Sequence, residues 1–246
     1  MSRKYANPPI VEALCEFRFI PSQPWDMTIP GLLYGKIKSE FRVKKQLMDY
    51  GIKFQPKKES VKQQFELSRR MQFIRSDNSA LVQVGPNLLT INHLKPYPSW
   101  DNFKPLIVKN LEKYKDIAKP KAFERIGLRY INKIEFDKGP KELSDYFNYY
   151  PFIPEGLPQV LDDFNVRVEI PYEDERDRLL LNLASSIPEK PNVISLLLDF
   201  DYIMAIPERI SLDQASDWIE KAHTTVESAF EACITDKCRK LFREKK

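Results

Sequence analysis

His93, Lys95 and Tyr97 stand at alternate positions in the stretch Val84–Trp100, which reads VGPNLLTINHLKPYPSW. They supply a group that exchanges protons near neutral pH, a cation that neutralises an anion, and a phenol that donates or stacks. Together with Asn87, Asn92 and Trp100 they form a candidate site for a phosphorylated or nucleic-acid substrate. Nothing near them in the sequence is placed to act as a nucleophile. The same stretch also reads as a strand-to-helix connection stiffened by Pro96 and Pro98, with its aromatic residues closing the edge of a core. That structural reading is the preferred one.

A second constellation is spread along the chain. Glu12, Glu16 and Arg18 lie in one strand-like run, and Arg125, Arg129 and Lys133 in another. Asn165, Arg167 and Glu169 lie in a third, with Asp199 and Asp201 in a fourth. Successive strand residues alternate between faces, so all of these can share one surface of a sheet. Such a surface either binds a partner or faces water, laced with cross-strand ion pairs of about 0.2–1 kcal/mol each. Its mixed signs speak against nucleic acid, which needs clustered positive charge. The better candidate for nucleic acid is the stretch 36–62, with nine basic and three acidic residues.

Reactive signatures are missing: there is no GxSxG elbow, Walker lysine loop, Rossmann glycine fingerprint or HExxH. Only His93 and His223 are available, which excludes a histidine-rich metal site, and His223 reads as a core-edge residue beside a helical stripe. Cys233 and Cys238 are spaced poorly for zinc on one helix, and no second pair exists. These two and Cys15 read as small apolar core residues. No catalytic residue, metal or cofactor is assigned.

The elements that must position these residues are legible from periodicity. Ile10–Ile20 alternates, with Val11, Ala13, Cys15, Phe17 and Phe19 on one side and Glu12, Leu14, Glu16 and Arg18 on the other, as in a half-buried antiparallel strand. A helix follows Thr28 through Leu33, Ile37 and Phe41, and Val43–Lys62 reads as its end plus a solvated loop. Gln64–Arg75 and Leu81–His93, the second interrupted at Gly85–Pro86–Asn87, read as strands around a turn at Ser76–Ser79, and a helix runs from Ser99 to about Asp116. A second series begins with a strand over Phe123–Phe136 and a short helix around Lys141–Tyr149. Strands then fall at Asp163–Pro171, Arg178–Ala184 and Val193–Tyr202. Ser211 with Gln214 makes a capping box for one long final helix reaching Leu241. The expectation is an α+β fold in which a largely antiparallel sheet carries helices on one face. It forms a single domain over 1–246, with internal halves 1–119 and 120–246 built on a pseudo-duplicated β-α-β-β-α unit.

Composition sets the outer bounds. Of 246 residues, 42% are hydrophobic and 30% charged, enough for a sizeable core and too apolar for disorder. Residues 1–136 hold 25 Lys and Arg against 13 Asp and Glu, whereas residues 137–201 hold 6 against 14. These regions either meet in the fold or offer two patches to partners. No apolar leader follows Met1 and no run is long enough to span a membrane. With unpaired cysteines, a cytoplasmic location is the expectation. Nothing in the sequence sets the oligomeric state.

The motif Asn7-Pro8-Pro9-Ile10-Val11-Glu12-Ala13 runs into Cys15-Glu16-Phe17-Arg18-Phe19. Further on stand Val84-Gly85-Pro86-Asn87-Leu88-Leu89, Arg125-Ile126-Gly127-Leu128-Arg129-Tyr130-Ile131-Asn132, and Ala222-His223 followed by Phe230-Glu231-Ala232. In these motifs, spread over nearly the whole chain, the sequence resembles a sporadically distributed bacterial protein family of unknown function. Patchy distribution is typical of mobile genes. The resemblance implies an accessory or regulatory component of a defence, CRISPR-associated or toxin–antitoxin system that works by binding a protein partner.

Overall fold

The structure is a computed structural model that describes residues 3–57, 60–136, 142–188, 190 and 192–244, with residues 48–57 and 60–69 described by backbone alone. The alternation expected of Ile10–Ile20 (β1) holds from Glu12 to Phe19: Ala13, Cys15, Phe17 and Phe19 are buried, and Glu12, Leu14, Glu16 and Arg18 point the other way. Val11 is only half-buried, at a register shift between Ile10 and Glu12. The helix Ile29–Ile37 (α1) follows, then Val43–Lys57 (β2), Ser60–Ile74 (β3), Ala80–Gly85 (β4), Leu88–Leu94 (β5) and the helix Trp100–Ala118 (α2). The second series is Ala122–Phe136 (β6), Asn165–Tyr172 (β7), Asp177–Ser186 (β8), Ile194–Met204 (β9), Ala215–Cys233 (α3) and Asp236–Phe242 (α4).

The nine strands among the described residues join one antiparallel sheet in the order β2-β3-β4-β5-β1-β6-β9-β8-β7. The two series share a strand order, although the first holds five strands and the second four, rather than one repeated β-α-β-β-α unit. In each half the first strand is innermost and a meander returns its last strand beside it, β5 against β1 and β9 against β6. β1 and β6 then pair with each other in the middle. The helices pack on one face: Tyr114 of α2 stacks on Phe19 at 4.8 Å, Tyr34 of α1 meets Phe73, and Phe230 and Trp218 of α3 meet Phe200 and Tyr202. The core lies between that layer and the buried face of the sheet.

Three expectations are corrected. Val43–Lys57 is a strand paired residue for residue with β3, not a solvated loop. Its lysines mask a period-two series, Met48, Tyr50, Ile52 and Phe54, in the sequence. The short helix around Lys141–Tyr149 falls partly outside the described residues, and within them only a 3-10 turn at Leu143–Asp145 is present. The long C-terminal helix is present as α3 but stops at Cys233, and the stretch on to Leu241 belongs to a second helix, α4. Ile234 turns extended and bridges Phe147, and the Thr235 side chain caps α4 by accepting from the Cys238 N–H at 3.3 Å. The capping box before α3 forms as expected, with Gln214 Oε1 accepting from the Ser211 N–H at 3.1 Å.

Candidate functional site

The second constellation assembles on the face of the sheet opposite the helices. Antiparallel register sets Leu14 beside Arg129, Glu16 beside Gly127 and Arg18 beside Arg125, while β9 sets Asp201 beside Arg129 and Asp199 beside Ile131. Diagonal reach does the rest. Arg125 donates to Glu16 at 2.8 Å and to Asp201 at 2.9 Å, tying three strands together. Arg129 grips Asp199 with two nitrogens, Nε to Oδ1 at 2.8 Å and Nη2 to Oδ2 at 2.5 Å, a forked geometry that a guanidinium suits. That hydrogen bonding raises the Arg129 pKa, whereas burial raises the Asp201 carboxyl against the opposing pull of Arg125 and Arg129. The basic first half and the acidic middle of the chain therefore meet at the β6–β9 pair.

Gly127 makes this packing possible. A Cβ there would stand 3.2 and 3.3 Å from the Arg125 guanidinium nitrogens and 3.3 Å from Asp201 Oδ1. The sequence holds a signal for it, since a glycine inside a strand often marks a close approach, but the arginines around it draw attention first. A polar row extends the face toward the other edge: Gln72 donates to Gln83, Gln83 to Asn92 at 3.0 Å, and Asn92 to Glu12 at 2.6 Å.

Toward β7 the face is hollowed into a groove of about 810 Å³. Arg18, Arg125, Arg129 and Arg178 line it together with Glu16, Asp201 and Glu169, and the chain at Ala205–Pro207 walls one end. The inner arginines are held by two carboxylates or by a fork. Those at the rim are more exposed: Arg18, 49% exposed, donates to Glu16 at 2.8 Å, and Arg178, 47% exposed, stands 3.7 Å from Glu169.

The stretch 87–100 is divided by the pleat. Asn92 lies on the groove side within the polar row, while His93 lies on the helix side, buried edge-on against Tyr97 and Phe103. Tyr97, Tyr130 and His223 form a chain of contacts, hydroxyl to hydroxyl at 3.3 Å and Tyr130 hydroxyl to His223 Nδ1 at 3.0 Å. Trp100 stacks on His223 at 4.1 Å and donates to Glu220. Burial lowers the pKa of both histidines, so the neutral ring is favoured at each. Lys95 is exposed, and Asn87 shapes the β4–β5 turn with φ 53°, its carbonyl accepting from the Phe19 N–H. Glu16, Arg18, Arg125 and Arg129 thus come together, and His93, Tyr97 and Trp100 form a separate aromatic cluster. The stretch 36–62 runs from the end of α1 through β2 to the start of β3, with residues 58 and 59 outside the described residues and much of the rest described by backbone alone.

Asp177 escapes sequence reasoning. It is wholly buried, yet paired with Arg176 at 2.5 Å and hydrogen-bonded by the Trp218 indole at 3.1 Å and the Tyr202 hydroxyl at 3.2 Å. It anchors α3 to β8 and β9. Beside its neighbour Arg176, its partners come from two distant segments, so no local spacing announces it.

A nine-stranded antiparallel α+β sheet with helices on one face and a charged groove on the other is the class that fold and site define. The sequence matches no family model, and no curated protein is similar to it. No helix among the described residues is long and apolar enough to cross a membrane.

Proposed function

We propose that this chain binds a protein partner through the groove face of its sheet and carries out no chemistry of its own. The observation behind this reading is the groove itself. It interleaves arginines and carboxylates around a hollow of about 810 Å³, with the inner charges tied across strands and the rim charges, Arg18 and Arg178, about half exposed to a partner. A surface of both signs, held in fixed register by strands, complements a polypeptide of mixed charge better than a phosphate backbone. In keeping with the family it resembles, the role is an accessory or regulatory one in a bacterial defence, CRISPR-associated or toxin–antitoxin assembly, in the cytoplasm.

Affinity capture of the tagged chain from its own host, with and without nuclease, tests the reading. A stoichiometric protein that survives nuclease is expected. Recovery of nucleic acid alone would assign the work to the basic stretch 36–62 instead.

A further inference from the structure

β7 is the last strand of the sheet, and its outer edge is unpaired among the described residues. Arg167, Val168, Glu169, Ile170 and Pro171 are all exposed. An edge of this kind is a template for another strand unless something blunts it. The Ser185 N–H donates to the Phe164 carbonyl at 3.0 Å, which fixes the parity: even-numbered residues of β7 turn their amides toward β8, and odd-numbered residues turn theirs outward. Pro171 agrees, because a residue without an N–H falls on the outward side, where β8 loses nothing. The free edge therefore offers the N–H and C=O groups of Asn165, Arg167 and Glu169, and the carbonyl of Pro171.

The side chains along this strand are palindromic in chemistry about Val168. Arg167 and Glu169 flank it on the groove side, where they lie 2.8 Å apart, and Val166 and Ile170 flank it on the helix side, opposite Leu183 and Leu179. We propose that a second copy of this chain adds to the β7 edge, antiparallel and two-fold symmetric about Val168. In that register each Arg167 faces Glu169 of the second copy and exchanges both backbone hydrogen bonds with it. Val166 faces Ile170, Val168 faces itself, and the Asn165 N–H meets the Pro171 carbonyl. Apolar residues that are more than a third exposed in one copy, Val168 and Ile170, gain cross-strand partners. The two-fold axis is normal to the sheet, so both helix layers stay on one side and both grooves on the other. A two-fold contact closes on itself and stops at a dimer. This inference is independent of what the groove binds.

Sedimentation velocity of the full chain from about 1 to about 100 μM reads the result, a range suited to a single-strand interface. A monomer–dimer equilibrium is expected. Val168→Lys, which sets two cations face to face, removes the dimer, and Arg167→Glu or Glu169→Arg alone weakens it on the order of tenfold or more by opposing like charges. Mixing the two single variants restores association as a heterodimer, and so does the double exchange R167E/E169R as a homodimer. A chain that stays monomeric over the whole range overturns the proposal. So does a dimer indifferent to Val168→Lys, or single variants that do not pair when mixed. All of these positions are exposed, and an unchanged thermal midpoint confirms that each variant folds.

Discussion

Gly127 decides how closely Arg125 lies against the sheet, and with it the spacing of the groove's inner charges. Alanine at that position relieves backbone entropy in the unfolded chain, worth about 0.4–1 kcal/mol in its favour. Against this, its Cβ meets a guanidinium pinned by Glu16 and Asp201, and overpacking of this kind costs about 1–3 kcal/mol. Gly127→Ala therefore loses stability, by about 1 kcal/mol, with the urea midpoint lowered and the slope unchanged. A more stable variant would mean that the charges move aside freely. His223 governs a pH effect. Its ring is buried against Trp100 with Nδ1 3.0 Å from the Tyr130 hydroxyl, and its pKa is lowered by burial. Below the ordinary histidine value of 6.5 the unfolded chain takes up a proton that the folded chain refuses, so stability falls as pH falls through that range. The thermal midpoint drops from about pH 7.5 to about pH 5.5, and His223→Gln, which keeps an acceptor but does not titrate, flattens the drop. An equal slope in both proteins would place the titration elsewhere; His93, shifted in the same direction, is the next group to replace.

At the scale of elements, alternation and helical stripes carry most of the fold in the open. β1, β6 and β9 could be read from the sequence because one face of each is apolar and the other charged, which period two exposes directly. β2 could not, since lysines interrupt its apolar series. The break at Ile234–Thr235 hides inside a helical stripe and shows only through its Thr-Asp cap. The β7–β8 turn is another silent feature. Glu173, Asp174 and Glu175 all hold positive φ, at 52°, 52° and 67°, with no glycine or asparagine to mark them. A side chain in that region costs about 1 kcal/mol relative to glycine. Glu175→Gly thus raises the thermal midpoint by a few degrees, whereas Glu173→Gly gains less because it also gives up the 2.7 Å ion pair with Lys221. A lower midpoint for Glu175→Gly would show that its side chain holds the turn.

The whole molecule is two strand-first halves joined back to back at β1 and β6, with helices gathered on one side and charge on the other. Of the candidate site, the shared face was legible because Glu16, Arg18, Arg125 and Arg129 occupy the polar phase of two alternating strands. Their coming together with Asp199 and Asp201 depends on strand order, which no local pattern encodes. The cluster at His93, Tyr97 and Trp100 was legible as a group of unusual residues, but its setting depends on α2, whose Phe103 meets His93 and Tyr97, and on α3, whose His223 stacks on Trp100. The groove face, and not the helix face, is the proposed working surface. Measuring the affinity of a captured partner for the wild-type chain, for Arg18→Glu/Arg178→Glu on the groove rim, and for Glu112→Lys/Asp213→Lys on the helix side tests it most directly. Binding should fall on the order of tenfold or more for the rim pair, in line with charge pairs at interfaces, and hold for the helix-side pair. Unchanged binding at the rim with loss on the helix side would contradict the account.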